Sequence, residues 1–163
     1  MKKIILIMAI FLWGLTANAQ VSQEGYFSVK ENFIVWTKIY DTVPDLQTMK
    51  KNPLLEFTSE EGGIIKKSRP TSLNKRTLAE ITGSFLISQK DGRYKVEVTN
   101  IRTIPMYTVE IYGIKSSEQD SPLELSTIDK KGEFKEFFVD NYSKPLDILF
   151  SSFFDPKKKK DDW

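Results

Sequence analysis

Residues 81–101 read Ile81-Thr-Gly-Ser-Phe-Leu-Ile-Ser-Gln-Lys-Asp-Gly-Arg-Tyr-Lys-Val-Glu-Val-Thr-Asn-Ile101. Two alternating runs meet at Asp91-Gly92, a dipeptide that accepts the positive φ angles of a tight hairpin turn. With those two as the loop, Lys90 faces Arg93, Ile87 faces Val96 and Phe85 faces Val98. Phe85, Ile87, Val96 and Val98 then share one face, because side chains alternate along a strand. Ser84, Ser88, Lys95 and Glu97 fall on the other face, with Leu86 as its apolar exception. Register and pattern agree on a sheet with one buried face. The hairpin names no chemistry.

Upstream of it, the first residues do not read as part of the fold. Lys2 and Lys3 precede an apolar run from Ile4 to Leu15, and Ala17-Asn18-Ala19 supplies the small residues of a signal-peptidase site. Residues 1–19 are thus expected to be a signal peptide, with cleavage between Ala19 and Gln20. A membrane span would need about 20 apolar residues, more than this run holds. Export to the periplasm or the outside follows. The chain has 24 basic and 22 acidic residues, so losing Lys2 and Lys3 leaves it formally neutral. Its pI near 8.6 belongs to the precursor and is no sign of nucleic-acid binding. Residues 20–155 suit one domain, which folds without disulfides because the sequence contains no cysteine.

Gln20 to Gly25 is a polar lead, expected to be mobile. Between Tyr26 and Tyr40, Phe33, Val35 and Thr37 alternate with Ile34, Trp36 and Lys38, which predicts a strand ending near Tyr40. A short helix is expected near residues 43–52. Thr42 would cap it, Pro44 and Asp45 suit its first turn, and Pro53 would stop it. Leu54 to Ser68 reads as a second hairpin turning at Gly62-Gly63. Residues 69–78 read as a long connection. Lys66, Lys67, Arg69, Lys75 and Arg76 form a basic stretch better explained as a solvated edge than as an anion site. Tyr107 to Ile114 alternates like a strand. Residues 122–128 fit either a short edge strand or a lead into the following helix.

From Glu133 the period changes to that of a helix. Phe134, Phe137, Phe138, Tyr142, Leu146, Leu149, Phe150 and Phe153 recur at three and four residues. The phase survives Pro145, so one kinked helix, or two in line, should pack this stripe on the sheet. Lys157 to Trp163 lies within a charged tail, residues 156–163. The helix's polar face is acidic and Asp161 and Asp162 offset the tail's lysines. Both points weigh against the interfacial membrane helix that a Phe-lined stripe before Lys157-Lys158-Lys159-Lys160 otherwise suggests.

Chemistry is sparse. Without His or Cys, the chain lacks the parts for Ser–His–Asp and Cys–His catalysis, for His or Cys metal sites and for redox dithiols. No phosphate-cradling glycine loop or calcium loop is present. No catalytic residue, cofactor or metal is therefore expected. Glu60 with Glu61, or Glu97 with Glu110, are the acid pairs that could serve a hydrolase. Trp36, Tyr94 and Tyr112, with Tyr107, are the aromatics that could face a sugar or apolar ligand, ordinary packing being the simpler explanation.

The order strand, capped helix, Leu-x-Phe strand with a glycine turn, then Gly83-Ser84-Phe85-Leu86-Ile87 and Asp91-Gly92-Arg93-Tyr94-Lys95-Val96-Glu97-Val98-Thr99-Asn100-Ile101, resembles a domain of unknown function common in secreted Gram-negative proteins. That family is described as having a TATA-binding-protein-like fold. The likeness covers about residues 33–101, and Asp91 to Lys95 is its most specific part. It implies a curved antiparallel sheet with helices on one face, supplies no catalytic residues, and does not imply DNA binding.

The sequence thus predicts an α+β domain: a mainly antiparallel sheet of five or six strands, a short helix, and a long C-terminal helix packed on one face. Function narrows to a non-catalytic exported binding or accessory module of the cell envelope, meeting an envelope protein or a small ligand. A carboxylate-dependent hydrolase of polysaccharide or peptide, and a peripheral membrane protein acting through the C-terminal helix and lysine tail, are the alternatives.

Overall fold

The Asp91-Gly92 turn has φ of 53° and 74°, the double positive value of the tightest hairpins. Around it Lys90 pairs with Arg93, Ile87 with Val96 and Phe85 with Val98, the register the alternation demands. A computed structural model of the chain describes residues 22–71, 79–105, 110–111, 114–115 and 120–155. The proposed signal peptide, Tyr107, Tyr112, Lys75, Arg76 and the charged tail lie outside them.

The hairpin strands, β6 (Ala79–Lys90) and β7 (Arg93–Pro105), form the centre of an eight-stranded antiparallel sheet. Its other members are β1 (Gln23–Glu24), β2 (Phe27–Lys30), β3 (Phe33–Tyr40), β4 (Leu55–Phe57), β5 (Gly62–Ser68) and β10 (Ser121–Pro122). The order is β1-β2-β3-β7-β6-β5-β4, with β10 pairing to the far end of β7. The sheet is wider than the five or six strands expected. Two additions come from the polar lead, where Gln23 and Glu24 pair with β2, and from a break at Glu31-Asn32. These two residues carry positive φ without a glycine, so the turn between β2 and β3 has no strong sequence mark.

Other boundaries also move. Gly62 and Gly63 begin β5 rather than forming the turn, and Gly63 pairs with Phe57. A Cβ on Gly63 would collide with the Glu56 carbonyl, so this glycine serves close strand approach. The short helix α1 spans Leu46–Lys50 and is capped by Asp45, whose carboxylate accepts from the Thr48 N–H, not by Thr42. Of the expected strand over residues 107–114, the described residues form β8 (Glu110–Ile111) and the first residue of β9 (Ile114–Lys115), which pair with each other; the rest lies outside the described residues. Residues 122–128 resolve into the end of β10 and a single turn, α2 (Glu124–Thr127).

The C-terminal helix covers one sheet face. It comprises α3 (Glu136–Phe138), a π-helical turn (Val139–Ser143) and α4 (Lys144–Phe154). Phe138, Tyr142, Leu146, Phe150 and Phe154 are all buried, at four-residue steps. In a regular helix each such step drifts about 40°, which would spread the five over different faces. The π turn holds more residues per turn and reverses the drift. It also lies directly before Pro145, which has no N–H to give and whose ring crowds the carbonyl four residues back. Phe137 consequently points outward, 43% exposed, and leaves the predicted stripe, while Phe154 joins it. The helix meets the sheet through rings: Phe138 is edge-on to Phe27, Phe150 to Trp36, and Phe154 packs on Phe85. Such large side chains contribute about 1.5–3 kcal/mol each on burial.

Candidate functional site

β7 changes partners along its length, and the site arises where it does so. From Tyr94 to Val98 it pairs with β3, ending at Trp36↔Val98. Beyond, Arg102 and Thr103 pair instead with Pro122 and Ser121 of β10. Between the two stretches lies a bulge. Thr82 is opposite Arg102 and Ser84 opposite Thr99, so Gly83 faces both Asn100 and Ile101. Asn100 takes a φ of 49°, a left-handed conformation that asparagine tolerates better than most residues. A Cβ on Gly83 would sit 3.2 Å from the Thr99 carbonyl and 3.3 Å from Val98 Cγ1, so a small residue suits the inside of the bend.

With β7 bent away, the N–H of Ile34 on β3 lacks a strand partner. Glu124, at the start of α2, supplies one: its Oε1 accepts from the Ile34 N–H at 2.9 Å. The carboxylate thus ties the start of α2 to β3 where β7 has turned away. A cleft of about 510 Å³ opens there, with Phe33, Val35 and Pro122 as apolar walls and Lys30, Thr99, Asn100 and Arg102 around them. A second groove, of about 580 Å³, adjoins it through Glu124 and runs past Asn32, Leu125 and Ile128 to Asp129, Lys130 and Lys135. Phe33 is 61% and Leu125 73% exposed, which is much for side chains of that size.

The charges at the cleft are balanced in pairs. Arg102 donates through Nε to Asp120 Oδ2 at 2.8 Å and through Nη2 to Oδ1 at 3.2 Å. That fork holds the Asp120 carboxyl below its usual range and raises Arg102 further. Glu97 meets Lys95 at 2.9 Å and Lys30 at 3.6 Å. The hydrogen bond from Lys95 is the main reason its carboxyl is held low. Neither Glu97 nor Asp120 is poised as a proton donor near neutral pH.

The residues singled out from sequence fall elsewhere. Trp36 and Tyr94 are 0% and 1% exposed and face no ligand. Trp36 Nε1 donates to Asp147 Oδ1 at 3.0 Å, and the Tyr94 hydroxyl to the Phe154 carbonyl. Their amphipathic rings bind the C-terminal helix to the sheet, so the packing explanation holds for both. Glu60 and Glu61 sit exposed on the β4–β5 turn. Glu97 lies mid-sheet among lysines, whereas Glu110 belongs to the separate β8–β9 pair. Lys66, Lys67 and Arg69 are exposed, and Lys66 meets Glu56 at 3.5 Å, as a solvated edge would.

Two further arrangements escaped the sequence. Lys38 Nζ donates to Ser151 Oγ at 2.8 Å, and that hydroxyl donates to Asp147 Oδ1 at 3.3 Å. A serine beside a lysine can be a nucleophile and its base, but Ser151 is only 4% exposed, so the cluster fastens helix to strand. A cleft of about 490 Å³ also lies between α1 and the end of α4, floored by Met49, Phe153 and Phe154. Of its two acids, Asp45 caps α1 through its carboxylate, and Asp155 closes α4 through its backbone N–H to the Ser151 carbonyl. Among the described residues no group of three or more His, Cys, Asp and Glu side chains could hold a metal ion. No helix among them is long and apolar enough to cross a membrane.

Comparison with known proteins finds no matching family model, no matching characterised sequence and no matching solved structure.

Proposed function

We propose that the protein is a non-catalytic exported binding module of the cell envelope, and that the cleft between β3 and β10 is where it binds. The observation that carries this is the partner change of β7. A bulge, a left-handed Asn100 and the inserted Glu124 together open a pocket in a sheet that could otherwise have continued its ladder. Bulges of this kind re-aim side chains beside functional sites. The pocket mixes apolar walls with a few convergent polar groups, as ligand sites do. Its own carboxylate is committed to the Ile34 N–H, which favours holding a ligand over acid–base chemistry on it. The signal-like start and the resemblance to a secreted domain support the envelope setting. The helix's apolar stripe lies in the core, which weighs against a membrane-binding role for that face.

Incubating the purified protein with soluble polysaccharide and peptide fragments of bacterial envelopes tests the reading. Fragments should be retained by the immobilised protein and leave with unchanged masses. Shortened fragments would instead establish the hydrolase.

A further inference from the structure

We infer that the cleft and the groove beside it hold a neutral oligosaccharide, an inference that rests on the binding role proposed above. Each charge lining the cleft itself has a partner. Lys30 and Lys95 share Glu97, Arg102 is forked onto Asp120, and Glu124 accepts from a backbone N–H. In the adjoining groove Asp129 accepts from the Lys131 and Glu133 N–H groups and Lys135 donates to the Ser126 carbonyl, with Lys130 on the rim. An ionic ligand at the half-exposed side chains of the cleft would compete with a partner already in place. A neutral polyol would not. It would meet the groups that the pairs do not use: the Nη1 amino group of Arg102, the second oxygen of Glu124, the Asn100 amide and the Thr99 hydroxyl. Side-chain amides, guanidinium and carboxylate groups offer paired donors or acceptors at a spacing that suits adjacent hydroxyls.

Sugars also present an apolar face of C–H groups. Phe33, 61% exposed at the cleft wall, supplies an aromatic platform for it, and burial of that ring favours the complex. The second groove indicates a ligand longer than one ring. It continues from the first across Glu124 and carries the exposed Leu125. One sugar unit would stack at Phe33, and the next would pass Glu124 toward Leu125.

The test is a titration of the 15N-labelled protein with maltotriose, cellotriose and tri-N-acetylchitotriose, and separately with phenylacetate as an apolar anion. At about 10 mM ligand, a millimolar site is mostly filled. The expected result is that a trisaccharide shifts the amides of Phe33, Thr99 and Asn100. Phe33→Ala and Arg102→Lys should each weaken that binding about tenfold, the loss of roughly one stacking or forked contact. Phe33 is exposed and Arg102→Lys keeps its charge, so unchanged spectra elsewhere will show both variants folded. Cleft shifts with phenylacetate alone would overturn the sugar assignment and leave the binding site standing. Shifts from neither class at these amides, or sugar shifts confined to another surface, would overturn both.

Discussion

Asn100 holds the bulge in a conformation that costs most L-residues about 1–2 kcal/mol. Asn100→Gly should therefore leave stability nearly unchanged, while Asn100→Val should lower it by about 1–3 kcal/mol in urea titration. Equal losses would mean that the residue is not left-handed. Phe85 and Ser84 test the register in the same way. Phe85 is 4% exposed and packs on Phe57 and Phe154, whereas Ser84 lies on the uncovered face. Phe85→Asp should cost several kcal/mol and Ser84→Asp about 0.5 or less. The Asp91-Gly92 turn was legible because its dipeptide permits one geometry. Glu31-Asn32 turns as tightly but spells no motif, and Asn100 sits inside a run that reads as uninterrupted strand. For Trp36 and Tyr94 the sequence left a ligand-facing role beside the simpler packing one for a related reason: an amphipathic ring looks alike in sequence whether its polar atom meets a ligand or, as here, Asp147 and Phe154.

The C-terminal helix was legible as a stripe because its spacing changes from two to three and four. Its π turn was not, since nothing in Val139–Ser143 announces a wider register. The consequence is measurable. Phe150→Ala removes a fully buried ring between Phe27 and Trp36 and should cost about 3–5 kcal/mol. Phe137→Ala should cost distinctly less, about 1 kcal/mol, because that ring is 43% exposed and meets Tyr142 edge-on. A regular helix through this stretch would make the two losses similar. The sheet edges show the same limit. β1 and β10 have two residues each, too few for an alternating pattern, and form because longer neighbours present open ladders.

Among the described residues, one sheet face is closed by the helix and the other carries ion pairs. Those pairs couple stability to acid. Lys95 and Lys30 hold Glu97 below the ordinary 4.5, against the opposing effect of burial. Below that value the unfolded chain takes up the proton first, so stability present above it is lost as pH falls toward the folded value. Asp120 and Asp129 act in the same direction. Thermal denaturation against pH should show the decline, and Glu97→Gln should make it shallower; an unchanged slope would count against the Lys95 contact. Export predicts an N-terminus at Gln20 in protein recovered outside the inner membrane, and recovery of the form beginning at Met1 would contradict it. The cleft itself was not legible, because it joins Lys30 and Phe33 to Arg102 and Glu124 through a partner exchange no local pattern records. Its geometry turns on the Ile34 N–H, and hydrogen–deuterium exchange of that amide tests it most directly. Glu124→Ala should speed exchange at Ile34 while Trp36, still paired with Val98, keeps its protection. Unchanged protection at Ile34 would show that β7 or another group already serves it, and that β3 and β7 do not part where the site requires.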